Sequence, residues 1–425
     1  MIKGWKEISL NEIGWFKGAG VNKLINSDEQ FVYLINYMDV YKHWKITYNT
    51  NYQQVTAKER EIEEANLLEG DVLFTPSSEK PIDIGHAGIV METMPNCVYS
   101  YHLIRLRLYD KEQFDLNFLS YLLNSDDVQK HFVSRASGSG IRYTLSLSDF
   151  KSAKIRFPEK SEQSAIAAIL SKVDEAIASV QASISAAERL KKSLMQNLLT
   201  GRMKPDGTLR KDDEFYVDEK FGKVPKGWVV KKGIEITSKI TKGQSPKWQG
   251  FEYQNEGILF VTSENIRDGY IDVSEPKYLP LEFNNKIKNS QLAKGDVLIN
   301  IVGASIGRCA IFDLDVECAN TNQAVCVFRP NDENDSAFLS YYLQDETTQK
   351  RLFRTQVETA RANLSLGDFR KFKFVIPKKD EQIEIATKIN QFNQTILDRV
   401  NKIAVLERLK KSLMQNLLTG RVRVK

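Results

Sequence analysis

The sequence holds no Pro-Pro pair, and only four cysteines and four histidines among its 425 residues. Without Pro-Pro, the Asn/Asp-Pro-Pro-aromatic signature of an amino-methyltransferase is absent. Cys97, Cys309, Cys318 and Cys326 match neither a CxxC zinc knuckle nor a secreted disulfide framework, and reduced core thiols are expected. His43, His86, His102 and His131 are scattered, never in an HxxxH or HExxH arrangement, which leaves no basis for a histidine metal site or triad. Walker A and GxSxG motifs are missing too, and Gly18-Ala19-Gly20 and Gly138-Ser139-Gly140 lack the third glycine of a dinucleotide turn. No apolar run approaches the ~18 residues of a membrane helix. The opening MIKGWKEISL carries Trp5 and Glu7 where a signal peptide would begin its apolar stretch, so a cytoplasmic chain with no membrane contact is expected.

Charge is nearly balanced as well. Lys and Arg total 60 against 55 Asp and Glu, a net +5, so any basic surface must be local. With 42% apolar residues the chain can bury a core in each of two or three domains.

What the sequence does contain is a repeat. ERLKKSLMQNLLTGR, Glu188 to Arg202, recurs unchanged from Glu407 to Arg421 at an offset of 219. At the same offset SLSDFKSAKIRFP (Ser146 to Pro158) faces SLGDFRKFKFVIP (Ser365 to Pro377). Upstream, FLSYLLNSDDVQK from Phe118 pairs with FLSYYLQDETTQK from Phe338, Ile84-Gly85 with Ile306-Gly307, and Gly70-Asp71-Val72-Leu73 with Gly295-Asp296-Val297-Leu298. The drifting offset marks insertions, which usually fall in loops.

Each half ends in a helix-spaced apolar seam. Ile166, Leu170, Val173, Ile177, Val180, Ile184, Leu190, Leu194 and Leu198 form the first, and Ile385, Ile389, Phe392, Ile396, Ile403, Leu406, Leu409, Leu413 and Leu417 the second. Each helix is expected to begin at an N-cap, Ser161 or Asp380, and to stop at Gly201 or Gly420. Roughly 40 residues at 1.5 Å each give a rod of about 60 Å, too apolar along one stripe to stand alone. Packed antiparallel, two such rods would make a dumb-bell with Lys425 ending near Met1. The runs GDVLF, YHLIRLRL, GDVLIN and QAVCVF read as strands, so each globular region is mixed α and β.

Candidate binding residues lie in polar clusters rich in amides, cations and aromatics. Residues 36 to 54 bring together Lys42, Trp44, Lys45, Tyr48, Asn51, Gln53 and Gln54, a composition able to read base edges. The second half offers Lys242, Gln244, Ser245, Lys247 and Trp248, then Asn265, Arg267 and Arg308. Arg142 and Arg361 stand at the same offset before a shared Leu-Ser-Leu, as a phosphate contact common to both halves would, or an arginine anchoring its own loop. The identical helix ends present Arg189, Lys192, Gln196 and Asn197 and again Arg408, Lys411, Gln415 and Asn416, which invites two copies of one partner; recent duplication is the competing explanation. Pro205-Asp206 followed by Asp218-Glu219-Lys220 loosely fits a nuclease metal-carboxylate pattern, but in a polar connector a solvated role is expected.

Taken together, these residues resemble the DNA-specificity subunits of type I restriction-modification systems along essentially the whole chain. Further marks are VPKGW (Val224 to Trp228), NIRDGYI (Asn265 to Ile271), GASIGR (Gly303 to Arg308), TNQAV (Thr321 to Val325) and a Pro-x-x-x-Glu-Gln entry to each helix. The first half departs from the pattern, with YMDVYKHWKI in place of ENIRDGYI and no VPxGW opening.

The resemblance implies an α+β fold: two pseudo-twofold-related α/β target-recognition domains separated by an antiparallel coiled coil of two long helices. Expected boundaries are 1–158, helix 159–203, linker 204–226, 227–377 and helix 378–425. It implies a non-enzymatic subunit that reads a bipartite site in double-stranded DNA, the helices setting an unread spacer. Two such readers would meet one groove about 34 Å, or roughly ten base pairs, apart. Two methyltransferase subunits and ATP-dependent restriction subunits are the implied partners. No cofactor is expected on this chain; S-adenosylmethionine, ATP and magnesium belong to the partners. A self-contained nuclease and a protein-only scaffold are the rival readings.

Overall fold

The structure, a computed structural model, describes residues 4–18, 20–49, 51–353 and 363–424. It divides into two units, Met1–Ala182 with Val400–Lys425, and Ser183–Arg399. Each unit thus combines a mixed α and β region with part of each long helix.

In the first unit a five-stranded sheet runs in the order Gly14–Gly18, Ile104–Leu108, Val72–Phe74, Ala87–Val90, Lys45–Ile46. A four-stranded sheet follows the order Gln53–Ala57, Gln30–Ile35, Met94–Tyr99, Asn66–Leu67. The second unit has a four-stranded sheet, Thr237–Lys242, Val325–Pro330, Asp296–Asn300, Cys309–Phe312, and a three-stranded one, Tyr278–Leu279, Ile258–Val261, Ala319–Thr321. Both Gly-Asp-Val-Leu runs therefore become interior strands, buried at every position of Val72–Phe74 and Asp296–Asn300. Such strands, covered on both faces, lose the apolar-polar alternation of a half-exposed strand.

The aspartate of that run is the buried anchor of each sheet. Arg107 grips Asp71 through Nε at 2.8 Å and Nη2 at 2.7 Å, and Arg329 grips Asp296 at 2.6 and 2.9 Å. The same carboxylates accept the backbone N–H of Leu68 at 2.9 Å and of Ala293 at 2.8 Å. The repeated Ile-Gly pair has an equally local cause. Gly85 and Gly307 adopt φ of 79° and 86°. A Cβ would lie 2.5 Å from the Phe132 ring at the first and 2.3 Å from Gln349 Oε1 at the second. Only glycine fits both the conformation and the space.

The long helices span Lys160–Leu199 and Lys379–Leu417. They begin one residue before the expected caps Ser161 and Asp380. The carbonyls of Glu159 and Lys378 accept the first helical bonds, from Gln163 N and Gln382 N at 3.1 Å each, which makes those residues the caps. Within each unit the two helix segments run antiparallel. Glu162 meets Arg423 and Asp174 meets Lys410 in the first; Leu198 and Leu199 share a core with Ile385 and Ile389 in the second. Leu190 and Leu409, expected in the seam, are 56% and 46% exposed. The seam passes instead through Ala187 and the half-buried Lys191, whose ammonium pKa is pushed down by burial.

The Glu-Gln pair of each helix entry has a structural assignment. Gln163 accepts from Asp115 N at 3.0 Å and donates to Pro158 O at 3.0 Å; Gln382 accepts from Asp335 N at 2.9 Å and donates to Pro377 O at 3.0 Å. Asp115 and Asp335 in turn cap the helices Leu116–Leu123 and Ser336–Gln344. Glu162 binds Arg423, and Glu381 binds Arg210 and the indole of Trp228.

Two expectations change. Residues 204–226 are a folded part of the second unit, with strands Phe215–Asp218 and Gly222–Pro225 pairing antiparallel. The first half also has a counterpart to the VPKGW opening. Gly4-Trp5 and Gly227-Trp228 share a glycine φ of 84° and 91° and a buried indole. Each leads into a strand, Lys6–Ser9 or Val229–Lys232, that pairs with the strand before a long helix. Met1–Lys3 and Lys425 lie outside the described residues, but a Cβ on Gly4 would sit 3.9 Å from Arg423 Nη2.

Hydrogen bonds from Arg423 hold the Glu162 carboxyl below its ordinary value of 4.5. A depressed carboxylate contributes stability that is fully present above that value and is lost as pH falls through its folded-state pKa. Glu162→Gln should therefore unfold earlier than the native chain at neutral pH, with the gap closing under acid. A thermal unfolding series against pH checks this; no gap at neutral pH would mean the pair contributes nothing, and a gap that persists under acid would mean the loss has a cause other than the carboxylate's charge.

Candidate nucleic-acid interface

The candidate residues of residues 36 to 54 divide in two. Trp44 and Lys45 are half-buried and used inside the first unit. The indole meets Tyr121 edge-on at 6.2 Å with Lys410 Nζ 4.5 Å over its face, and Lys45 lies 5.1 Å over Tyr121 and 3.5 Å from Ser171 Oγ. Burial pushes the Lys45 pKa down. These two pack the sheet onto the long helices, a role their spacing alone did not reveal. Lys42, Tyr48, Asn51, Gln53 and Gln54 are exposed. Gln53 accepts from Asn36 Nδ2 at 2.9 Å, and Tyr48 stands edge-on to Tyr33 at 6.0 Å.

In the second unit Asn265 is buried and both polar atoms of its amide have partners. Oδ1 accepts from Thr262 N at 2.8 Å and Thr262 Oγ1 at 2.9 Å, while Nδ2 donates to Asp272 O at 2.9 Å. The amide expected to read a base instead closes its own loop. Arg267 pairs with Asp272 at 3.3 Å, and Arg308 is half-buried after the turn made by residues 303–307. Lys242 and Lys247 are exposed, and Trp248 is 82% exposed on the one-turn helix Lys247–Gln249. Gln244 and the half-buried Ser245 precede that turn, and Gln249 Nε2 donates to Gln244 Oε1 at 2.6 Å across it. Arg142 is exposed on the strand Arg142–Thr144. Arg361 lies outside the described residues.

The duplicated helix ends repeat their surroundings as well as their sequence. Glu188, Lys191, Lys192, Met195 and Gln196 line a groove with Asp345 and Glu346; Glu407, Lys410, Lys411, Met414 and Gln415 line another with Asp126 and Asp127. Lys192 reaches Glu346 at 2.9 Å, and hydrogen bonds from Lys350 and then Lys192 push that carboxyl's pKa down to about 2. Gln415 reaches Asp126 at 3.0 Å. Asn197 and Asn416 each donate to a carbonyl one turn back, Ser193 O and Ser412 O, at 2.9 Å. Their identity therefore has a helix-internal reason. Arg189, Lys192, Gln196, Arg408, Lys411 and Gln415 remain exposed, as do Leu190 and Leu409.

Sequence reading missed the polar contacts that tie each region to its helix. Tyr121 donates to Asp174 Oδ2 at 2.6 Å, and Asn393, at the matching position, donates to Tyr341 Oη at 2.8 Å. The FLSYLL and FLSYYL runs contained that signal as a tyrosine inside an apolar stretch. The nuclease-like carboxylates are turn caps. Asp206 accepts from Thr208 N and Oγ1 at 2.8 and 2.7 Å, and Asp218 from Lys220 N and Phe221 N at 2.8 and 2.9 Å. Among the described residues no group of three or more His, Cys, Asp or Glu is placed to hold a metal ion, and no helix is long and apolar enough to cross a membrane. The four cysteines are unpaired, and burial pushes the Cys309 thiol up to about 12.

Two duplicated α+β regions, each tied to a shared helix scaffold and each carrying its own exposed polar loops, have the organisation of a recognition protein. The sequence model of the type I restriction modification DNA specificity domain matches residues 2–189 and 225–408, and the chain belongs to that family. It is a specificity subunit, a DNA-recognition component and not a catalytic one. It is 27% identical over 382 residues to the type I restriction enzyme MjaVIII specificity subunit of Methanocaldococcus jannaschii, covering 88% of this chain and 83% of that one. The EcoBI specificity subunit of Escherichia coli is 26% identical over 65% of this chain and 60% of its own. The fold is shared with the HsdS subunit of Thermoanaerobacter tengcongensis, at a TM-score of 0.51 and 19% identity over 99% and 98% of the two chains. It is shared also with a chain from a structure of type I R-M system assembly and conformational transition, at a TM-score of 0.58 and 16% identity over 98% of each.

Replacing Asn265 by Ala should destabilise the second unit by about 1–3 kcal/mol, the usual cost of stranding buried hydrogen-bond partners. Urea denaturation measures it. An unchanged midpoint together with an altered DNA preference would return Asn265 to base reading.

Proposed function

We propose that each unit reads one half of a bipartite site in double-stranded DNA, directing adenine methylation and ATP-dependent restriction by partner subunits in the cytoplasm. Membership of the specificity family carries this reading. The distribution of identity supports it: shared residues are spent on sheets, caps and helices, while the exposed polar loops differ between the units. Different loops can read different bases; identical ones cannot. Lys42, Tyr48, Asn51, Gln53 and Gln54, with Lys242, Lys247 and Trp248, are the loop contacts, and Arg142 and Arg361 the shared phosphate contacts. The number of residues in the long helices sets the unread spacer. S-adenosylmethionine, ATP and magnesium are handled by the partners.

The two duplicated helix faces each take one methyltransferase subunit. In support, Leu190 and Leu409 are left out of the seam and stand exposed beside identical cations. Charge reversal at Lys192 and Lys411 together should abolish co-purification of the methyltransferase while far-UV circular dichroism stays native, and either reversal alone should leave one copy. Undiminished co-purification by the double variant would place the partner elsewhere.

The central test is co-expression with the neighbouring methyltransferase and mapping of methylated adenines by single-molecule sequencing. A gapped motif that vanishes without this chain is expected. A motif that does not depend on the chain would reject the recognition role and favour a scaffold.

A further inference from the structure

The strands Ser137–Ser139 and Arg142–Thr144 form a hairpin in the first unit, with Ser139 opposite Arg142. The connection is only Gly140-Ile141. Gly140 has φ 73°, and a Cβ there would meet nothing within 4 Å. Positive φ at the first of two central residues is the hairpin geometry that demands glycine there, and it leaves the second residue at the tip. That residue, Ile141, is 87% exposed, the highest value given for any large apolar side chain among the described residues.

The tip projects from a fixed base. Tyr143 packs on the core of the unit, Tyr143 and Thr144 pair with Ser78 and Ser77, and Leu145 N donates to Pro76 O at 2.8 Å. Two cations, Lys23 and Arg142, lie near His102. The pKa of His102 is pushed down by burial and then by Lys23 and Arg142.

A protein-docking hot spot would present a broad aromatic patch. A single aliphatic side chain on a narrow polar ribbon, with an arginine beside it, has the form of a wedge driven between base pairs. We propose that Ile141 is such a wedge: the hairpin enters the groove of the half-site read by this unit, Arg142 holds the phosphate backbone, and Ile141 props open the stack beside the target adenine. The partner then extracts that adenine at lower cost. This inference rests on the recognition and methylation reading above.

The test uses the complex of full chain and methyltransferase on two duplexes carrying the mapped motif. One is fully paired; the other carries a mismatch opposite the adenine methylated in this half-site. A mismatched base is already easier to extract, so the wedge matters less for it. Ile141→Ala should slow methyl transfer on the paired duplex about tenfold, with DNA affinity changed by less than about twofold, and the mismatch should restore the rate. Ile141→Leu should behave as native, whereas Arg142→Ala should weaken binding and flatten its salt dependence. A variant Ile141→Ala that is native on paired DNA, or equally slow on both duplexes, overturns the wedge while recognition stands. If the native complex methylates no gapped motif, the recognition reading itself has failed and the wedge falls with it.

Discussion

A carboxylate in the first turn of each long helix, bound by an arginine from the segment that follows the other helix, is the contact on which each unit depends. Glu162 with Arg423 and Glu381 with Arg210 close the two units in the same way. At the 219-residue offset Arg423 falls on Lys204, not on Arg210. Position in space, not position in the repeat, has been preserved. Beside each carboxylate a buried glutamine joins the helix entry to the capped start of the FLSY helix, so strand, short helix and long helix meet at one polar knot. Buried polar groups with every partner supplied specify one arrangement more sharply than apolar contact alone.

The duplication was legible because identity at a fixed offset needs no structural inference. The long helices followed from periodicity, the Gly-Asp-Val-Leu strands from short apolar runs, and antiparallel pairing from the twofold relation of the halves. The details that went astray share a cause. Leu190 and Leu409 are out of step with the alternating four-and-three spacing, which continues through Ala187, Lys191, Leu194 and Leu198 and through Leu406, Lys410, Leu413 and Leu417, and a lysine can fill a seam position with its stem. Asn265 and Trp44 have side chains suited to base contact, yet composition does not tell whether an amide or an indole has already found its partners at home. Trp5 was overlooked as a match to Trp228 because three residues are too short a signal without the strand that follows.

The grooves beside the duplicated ends differ in one instructive respect. Lys410 finds Asp174 at 2.7 Å, whereas Lys191 faces Asn393 at the matching place. Lys410 is paired with a carboxylate, whereas burial pushes the pKa of Lys191 down, so two surfaces of identical helix sequence are not electrostatically identical.

The first unit is assembled from both ends of the chain, whereas the second is one continuous stretch from Ser183 to Arg399. A ribosome delivers them in an order that inverts the numbering. The region made first must wait, with Glu162 and part of its core uncovered, until Leu417, Leu418 and Arg423 emerge. The region made second has all its pieces in hand before then. The first unit thus closes only once Leu417, Leu418 and Arg423 are in place, long after its first residue has been made, whereas the second closes around residues that follow one another along the chain.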